Sequence, residues 1–455
     1  MKPSTNSALS SHPLSRRRFL ARGAGAAAAF FAVQPHILGL RGATPPSQKL
    51  NIAGIGIGGQ GFSDLRQMES ENIVALCDVD WNHAARVFRR YPQAKQHKDY
   101  RRMLDTQKDI DAVVVATPDH THAFASMRAI RLGKHVYCEK PLTHSVWEAR
   151  QLALAAREHR VATQMGNQGQ ASEETRQLCE MVAAGAIGPV REAHIWTDRP
   201  SRGLLDEYWP QGVSRPADTP AVPDALEWDL WLGPAPARSY HPAYHPFKWR
   251  GWWDFGTGAL GDIGCHAMDP VFRALQLGHP LTVEAVSSRV NDETYPLSSI
   301  VRYQFPARGD MPALALTWYD GGLRPARPDE LEPEREFGSN GRLLVGDRGK
   351  ILGTQIIPQA KAREFGVPPK TIPRSPGHYI EWINACKGGA PAGSHFDWAG
   401  PLAEVVLLGN IALRRALREE LTRTKLHWDG PSLRVTNLEA ANQYIRREYR
   451  PGWTL

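Results

Sequence analysis

Residues 49–62 read Lys-Leu-Asn-Ile-Ala-Gly-Ile-Gly-Ile-Gly-Gly-Gln-Gly-Phe, an apolar run that enters Gly56-x-Gly58-x-x-Gly61 without a break. The stretch behind it, Phe62 to Glu69, can open a helix. Few backbones accept that text. The first glycine permits a tight turn, the second lets the chain approach a pyrophosphate, and the third allows a helix to pack close with its N-terminus toward the anion. Gln60 and Phe62 fall in the same turn and belong to the predicted cofactor-facing set.

The next apolar run, Asn72 to Cys77, ends in Asp78, seventeen residues beyond Gly61. A carboxylate there can bind the ribose hydroxyls and would repel the 2′-phosphate of NADP, which points to NAD. Arg86 and Arg89 nearby keep NADP open as the alternative. A third strand, Ala112 to Ala116, ends at Thr117-Pro118 and leads to a helical stretch from Ala123 to Leu132 and then the strand His135 to Cys138. Alternating strand and helix from 50 to 165 argues a doubly wound parallel sheet with its ligand at the strand C-termini. Asp119-His120-Thr121-His122 has metal-ligand chemistry. Its place after a strand end suits the nicotinamide end or a helix cap better.

Glu139-Lys140-Pro141 closes the His135 strand before a helix from Ser145 to Arg157. A lysine at the open end of the sheet can donate to a substrate oxygen, and burial that lowered its pKa would make it a proton-transfer group. Far downstream, Gly258-Ala-Leu-Gly-Asp262-Ile-Gly-Cys-His266 sets an acid and an imidazole four apart, on one face if helical. Asp269-Pro270 competes as the start of a new helix, which would leave both in a preceding turn. The pair reads either as an acid/base couple or as a structural cap. Between Ala193 and Asp254 lie Trp196, Trp209, Trp228, Trp231, Trp249, Trp252 and Trp253, half of all the tryptophans. They serve as pyranose-stacking faces or as the insert's own core. Arg199, Asp254 and His245 stand near them as hydroxyl partners, and Trp252 and Trp253 adjoin the Asp262 motif.

The order GxGxxG, an acid after the second strand, Thr-Pro-x-x-x-His ending at His122, Glu-Lys-Pro, then Gly-x-Leu-x-Asp-x-Gly-x-His resembles the glucose-fructose oxidoreductase, inositol dehydrogenase and MocA (Gfo/Idh/MocA) superfamily over residues 48–280. The resemblance implies a Rossmann domain at 48–168 and an α+β domain at 169–455 with an open-faced, mostly antiparallel sheet. That sheet would form the substrate wall and a homo-oligomer contact. It implies Lys140, Asp262 and His266 around the reacting carbon, with Gly56, Gly58, Gln60, Gly61, Phe62, Asp78, Thr117, Pro118, His122, Glu139, Lys140 and Asn167 on the cofactor. Asn167 also belongs to the substrate set, with Arg199, Trp252, Trp253 and Asp254. The text around Asn167 departs from the family's usual Arg/Phe-rich form. The Trp-rich insert spans 196–254.

The formal charge of +8 comes largely from Lys2, Arg16, Arg17, Arg18, Arg22 and Arg41, with no acid among the first 41 residues. Without that segment the balance is +2, no footprint for a polyphosphate partner, so a nucleic-acid role is excluded. Ser15-Arg16-Arg17-Arg18-Phe19-Leu20, followed by a mild apolar stretch to Val33, resembles a twin-arginine export signal within residues 1–43. Export to the periplasm is expected, with the leader either cleaved or kept as an anchor. No run reaches the roughly 20 apolar residues of a membrane span. Cys77, Cys138, Cys179, Cys265 and Cys386 form no CxxC pair and read as small buried apolar residues, so no metal site is expected.

Together these features predict an NAD(P)-dependent oxidoreductase acting on a sugar, sugar derivative or glycoside. Its cofactor would be tightly bound, since little free NAD exists outside the cytoplasm. Two alternatives stand beside it: a glycoside hydrolase or lyase that oxidises transiently without net redox, and a sugar or nucleotide sensor without catalysis.

Overall fold

The computed structural model describes residues 48–202 and 206–455, so the basic leader at 1–43 lies outside the described residues. Strands β1 (Asn51–Ile55), β2 (Asn72–Cys77), β3 (Lys95–His97), β4 (Ala112–Val115), β5 (His135–Glu139) and β6 (Thr163–Gly166) form a parallel sheet ordered β3-β2-β1-β4-β5-β6. Helices cover both faces, which is why β4 reads Ala-Val-Val-Val with every residue buried. Local chemistry starts these helices. Asp80 accepts the amides of Asn82 and His83 ahead of Trp81–Arg90, and Ser145 with Glu148 makes a capping box for Val146–His159. The strand order reverses between β1 and β4, which opens a crevice at their C-terminal ends.

The second sheet is mixed and mostly antiparallel, as expected. Strands β7 (Val190–Trp196), β10 (Thr282–Ser287), β11 (Ser299–Phe305), β12 (Leu314–Tyr319), β13 (Gly341–Gly346), β14 (Gly349–Leu352), β15 (Gln355–Ile357), β16 (Leu426–Asp429) and β17 (Arg434–Val435) lie in the order β15-β14-β13-β7-β12-β11-β10-β16-β17. β7 and β12 run parallel. Between β7 and β10, the short strands β8 (Ser201–Arg202) and β9 (Asp206–Glu207) pair with each other.

The helix Gly258–Ala274 runs straight through Asp269-Pro270, so no new helix begins there. Pro270 sits inside it, and the Asp269 carboxylate, which a cap would have turned to backbone amides, is taken instead by Arg273 and the Trp398 indole at 2.8 Å each. The helix Phe396–Ala412 is followed by a break and the short helix Arg418–Leu421. At the break, Arg414 stacks on the rings of Trp253 and Tyr444. A short helix, Gln359–Phe365, follows β15.

The last third of the chain returns to the first domain. Trp382 and Ile383, on the helix His378–Cys386, share a buried core with Ile52, Leu76 and Val114. The C-terminal tail docks on its own chain: Tyr449 and Trp453 meet Phe124 edge-on, and the Arg447 guanidinium pairs with the buried Glu148 at 2.8 Å. Among the described residues no single helix is long and apolar enough to cross a membrane.

Candidate active site

One cavity of about 440 Å³ runs from the glycine turn to the second domain. Gly56, Gly58, Gln60, Asp78, Thr117, Pro118, His122, Glu139, Lys140, Asp262 and His266 all line it. Residues from 56 to 266 therefore meet in one space, a volume suited to a small-molecule site.

The residues at the sheet end fit a dinucleotide. Gly56 has φ +77°, and a Cβ there would lie 2.7 Å from the Thr117 amide nitrogen. At Gly61 a Cβ would come within 2.3 Å of the Gly56 carbonyl oxygen, so the helix Gln60–Gln67 reaches the turn only because both positions are bare. Asp78 anchors the turn by accepting the Ile57 amide at 2.9 Å and the Gly58 amide at 3.1 Å. Gly61 and Phe62 lie behind the lining, with Phe62 under the Arg86 guanidinium at 4.7 Å. Asn167 is wholly buried at the end of β6, and neither atom of its side-chain amide has a hydrogen-bond partner. Asn167 does not itself line the cavity, although its neighbour Gln168 does.

At the far end Lys140 donates to Asp262 Oδ1 at 2.9 Å, and Arg250 Nε donates to the same oxygen at 3.0 Å. The three side chains are only 12 to 18 % exposed, so water screens them weakly. Burial alone would raise the Asp262 carboxyl, but the charges of Lys140 and Arg250 outweigh it and hold the acid well below the usual carboxylate range. For Lys140, burial pulls down most and Arg250 adds to it, but Asp262 and Glu139 together outweigh them and leave the ammonium above its ordinary value. Burial therefore does not turn Lys140 into a neutral amine, as the sequence had suggested it might under a lowered pKa. His266 behaves oppositely. Burial first, then the Lys140 charge, lowers it to about 3, so the imidazole is neutral.

Other groups complete the site, and one of them, Arg250, was announced by no motif. Arg250 lies in the Trp-rich insert, two residues before the Trp252-Trp253 pair, and no spacing rule links it to Asp262. Asp119 lines the cavity and accepts the Thr257 hydroxyl at 2.6 Å; burial raises it to about 7. His120 and His122 face carbonyl oxygens, those of Phe255 and Trp231 for the first and of Pro141 and Thr117 for the second. They tie chain segments together. Among the described residues no group of three His, Cys, Asp or Glu side chains could hold a metal.

The predicted substrate residues of the insert are placed elsewhere. Trp252 is buried, donates to the Ala243 carbonyl at 2.9 Å and packs with Tyr244, Trp231 and Phe255 in the insert's own core. Trp253 donates to the Asn291 carbonyl at 3.0 Å and lies beneath Arg414. Asp254 pairs with Arg238 at 2.6 Å, and Arg199 pairs with Asp198 and stacks on Tyr208. None of these four lines the cavity; Tyr208, Trp231, His245, Phe247 and Trp249 do. An aromatic run cannot reveal from its text which rings close on each other.

Residues 49–167 match the model of an oxidoreductase family with an NAD-binding Rossmann fold, and residues 205–305 match its C-terminal alpha/beta domain. Both matches are to the Gfo/Idh/MocA oxidoreductase family, one to each of its two domains. The first match contains the glycine turn, Asp78, Lys140 and Asn167, and the second contains Arg250, Asp262 and His266. Among curated relatives, the chain is 39% identical over 88 residues to 1,5-anhydro-D-fructose reductase of Ensifer adhaerens, covering 19% of this chain and 26% of that one. It is 31% identical over 157 residues to glycosyl hydrolase family 109 protein 1 of Shewanella sp. (strain ANA-3), covering 32% and 34%. The aligned stretches thus span about a quarter to a third of these relatives. The fold is similar to that of the WlbA dehydrogenase from Bordetella pertussis, solved with NADH and UDP-GlcNAcA, at a TM-score of 0.55, 15% identity and coverage of 84% of this chain and 99% of that one. The chain therefore joins a region that matches the family's NAD-binding domain to one that matches its C-terminal domain.

Proposed function

We propose that this protein oxidises a hydroxyl of a sugar, sugar derivative or glycoside and keeps its NAD bound through the cycle. One observation carries the reading: the Lys140–Asp262 pair and His266 open onto the same cavity as the glycine turn. When bound, the nicotinamide accepts and returns a hydride. Asp262, ionised, holds the Lys140 ammonium, which donates to the substrate oxygen and stabilises negative charge as it develops there. His266, neutral, takes the hydroxyl proton. Asp262 is thus assigned to hold the lysine. Tyr208, Trp231 and Trp249 supply the aromatic wall expected of a pyranose site. The names of the curated relatives, a sugar reductase and a glycosyl hydrolase, support a sugar substrate.

Cofactor retention is supported by the insert, which closes over the β2 end of the cleft. The Trp81 amide donates to the Ala225 carbonyl, the Glu227 amide to the Val79 carbonyl, and His245 meets Asp80 at 2.8 Å. Cofactor exchange would require these contacts to open. The arginine-rich leader supports export from the cytoplasm, and there a retained cofactor must be reoxidised in place by a second substrate. Assembly of copies through the open face of the second sheet belongs to the same proposal.

The test is to purify the protein from a periplasmic fraction, denature it and identify the released nucleotide. NAD or NADH is expected; protein that releases none and binds neither NAD(H) nor NADP(H) would overturn the reading. Supplying aryl glycosides while following nicotinamide absorbance separates the chemistries, because aglycone release without net NADH would make it a hydrolase. Lys140→Ala with undiminished turnover would remove Lys140 from the chemistry.

A further inference from the structure

Arg250 is held unusually firmly for a side chain of a proline- and tryptophan-rich insert. Its guanidinium carbon lies 4.2 Å from the ring centres of both Phe247 and Trp249, and Nη1 donates to the Phe247 carbonyl at 3.0 Å. Those contacts direct Nε onto Asp262 Oδ1, the oxygen that also receives Lys140. Two cations on one carboxylate oxygen divide its charge, since each interacts with the acid in competition with the other. A guanidinium already stacked and anchored loses little freedom in making that bond.

We propose that Arg250 is a positioning residue for Lys140: by sharing Asp262 Oδ1 it fixes the carboxylate and loosens its grip on the ammonium, leaving a proton of Lys140 available to a substrate oxygen. The inference rests on the reading of Lys140 as the group that meets substrate. It makes the insert part of the proton-handling machinery as well as a cover for the cleft.

Other charged and titratable groups also act on Lys140. Asp262, Cys265 and His266 come from the helix Gly258–Ala274, Asp119 and His122 from the helix Asp119–Arg131, Asp64 from the helix Gln60–Gln67, and Glu139 from its own strand. Asp262 pulls Lys140 upward and Arg250 opposes it. Among the insert's residues, Arg250 is the one whose removal should change how readily Lys140 gives up its proton.

The experiment needs neither substrate nor turnover. Folded wild type, Arg250→Gln and Arg250→Lys are labelled with trace acetic anhydride from pH 7 to pH 11, and acetylation of Lys140 relative to the exposed Lys95 is read by mass spectrometry. Arg250→Gln should slow Lys140 labelling about tenfold at a given pH, the effect of removing a like charge at short range. Arg250→Lys should restore most of the rate. Phe247→Leu, which removes one face of the stack and keeps the cation, should shift the profile in the same direction by less. Labelling of Lys140 that is unchanged in Arg250→Gln, or faster while near-ultraviolet circular dichroism stays native, would overturn the proposal. Neither result bears on whether the protein binds NAD, which the released-nucleotide assay decides separately.

Discussion

Asp119 shows how a single buried group can set a pH response. Burial raises its carboxyl to about 7, against about 4 in an unfolded chain. A folded pKa above the unfolded one gives stability that is fully present below about pH 4 and is lost as pH rises through about 7, with a ceiling of about 4 kcal/mol. Asp119→Asn keeps an acceptor for the Thr257 hydroxyl and removes the titration. The variant is therefore expected to gain in Tm over wild type, by more at pH 8.5 than at pH 5. An equal difference at both pH values, measured by scanning calorimetry, would contradict this. Asp262→Asn acts in the other direction, because it leaves two buried cations facing a neutral group. A loss of about 3–5 kcal/mol in urea unfolding is expected. At this scale the text was legible where a motif names its residue, as with Lys140, Asp262 and His266. It was silent on Asp119 as a titrating group and on Arg250, whose roles come from neighbours 138 and 12 positions away.

Among the elements, the helix Val146–His159 holds the C-terminal tail through one acid. Its capping acid Glu148 accepts the amides of His144 and Ser145, and it also receives Arg447 at 2.8 Å and the Tyr449 hydroxyl at 3.1 Å. One fully buried carboxylate thus caps a helix and anchors the tail. Glu148→Gln should release the tail before it unfolds the domain, so limited trypsin digestion is expected to clip near Arg446 and Arg447 in the variant and spare wild type. Equal rates of clipping would show that Phe124 and its aromatic partners suffice. The Ser145 start was readable because a capping box is local chemistry. The unbroken passage through Asp269-Pro270 was not, because the partners that take Asp269 away from a cap are Arg273 and Trp398, and Trp398 belongs to a distant helix.

For the molecule as a whole, the insert's hold on the first domain should govern cofactor release. His245→Ala removes the side-chain contact to Asp80, and NAD(H) carried through purification is expected to dissociate about tenfold faster in gel filtration or stopped-flow fluorescence, as the loss of one partly buried charged hydrogen bond would give. Retention equal to wild type would place the latch elsewhere in the cleft. By itself the sequence determined the parallel sheet, the glycine turn, the acid beside it and the three polar residues of the later motifs. Each of these is written in short-range periodicity or in a backbone that tolerates only certain residues. Tertiary structure alone decided that Trp252 closes on the insert's core and Trp253 packs on Tyr295 and Arg414, while Trp231 and Trp249 line the cavity. It also decided that Arg250 joins Lys140 at one oxygen of Asp262, and that the tail returns to its own helix. Such choices depend on which distant surfaces pack together, and a pattern of aromatic or charged residues along a chain does not encode its partners.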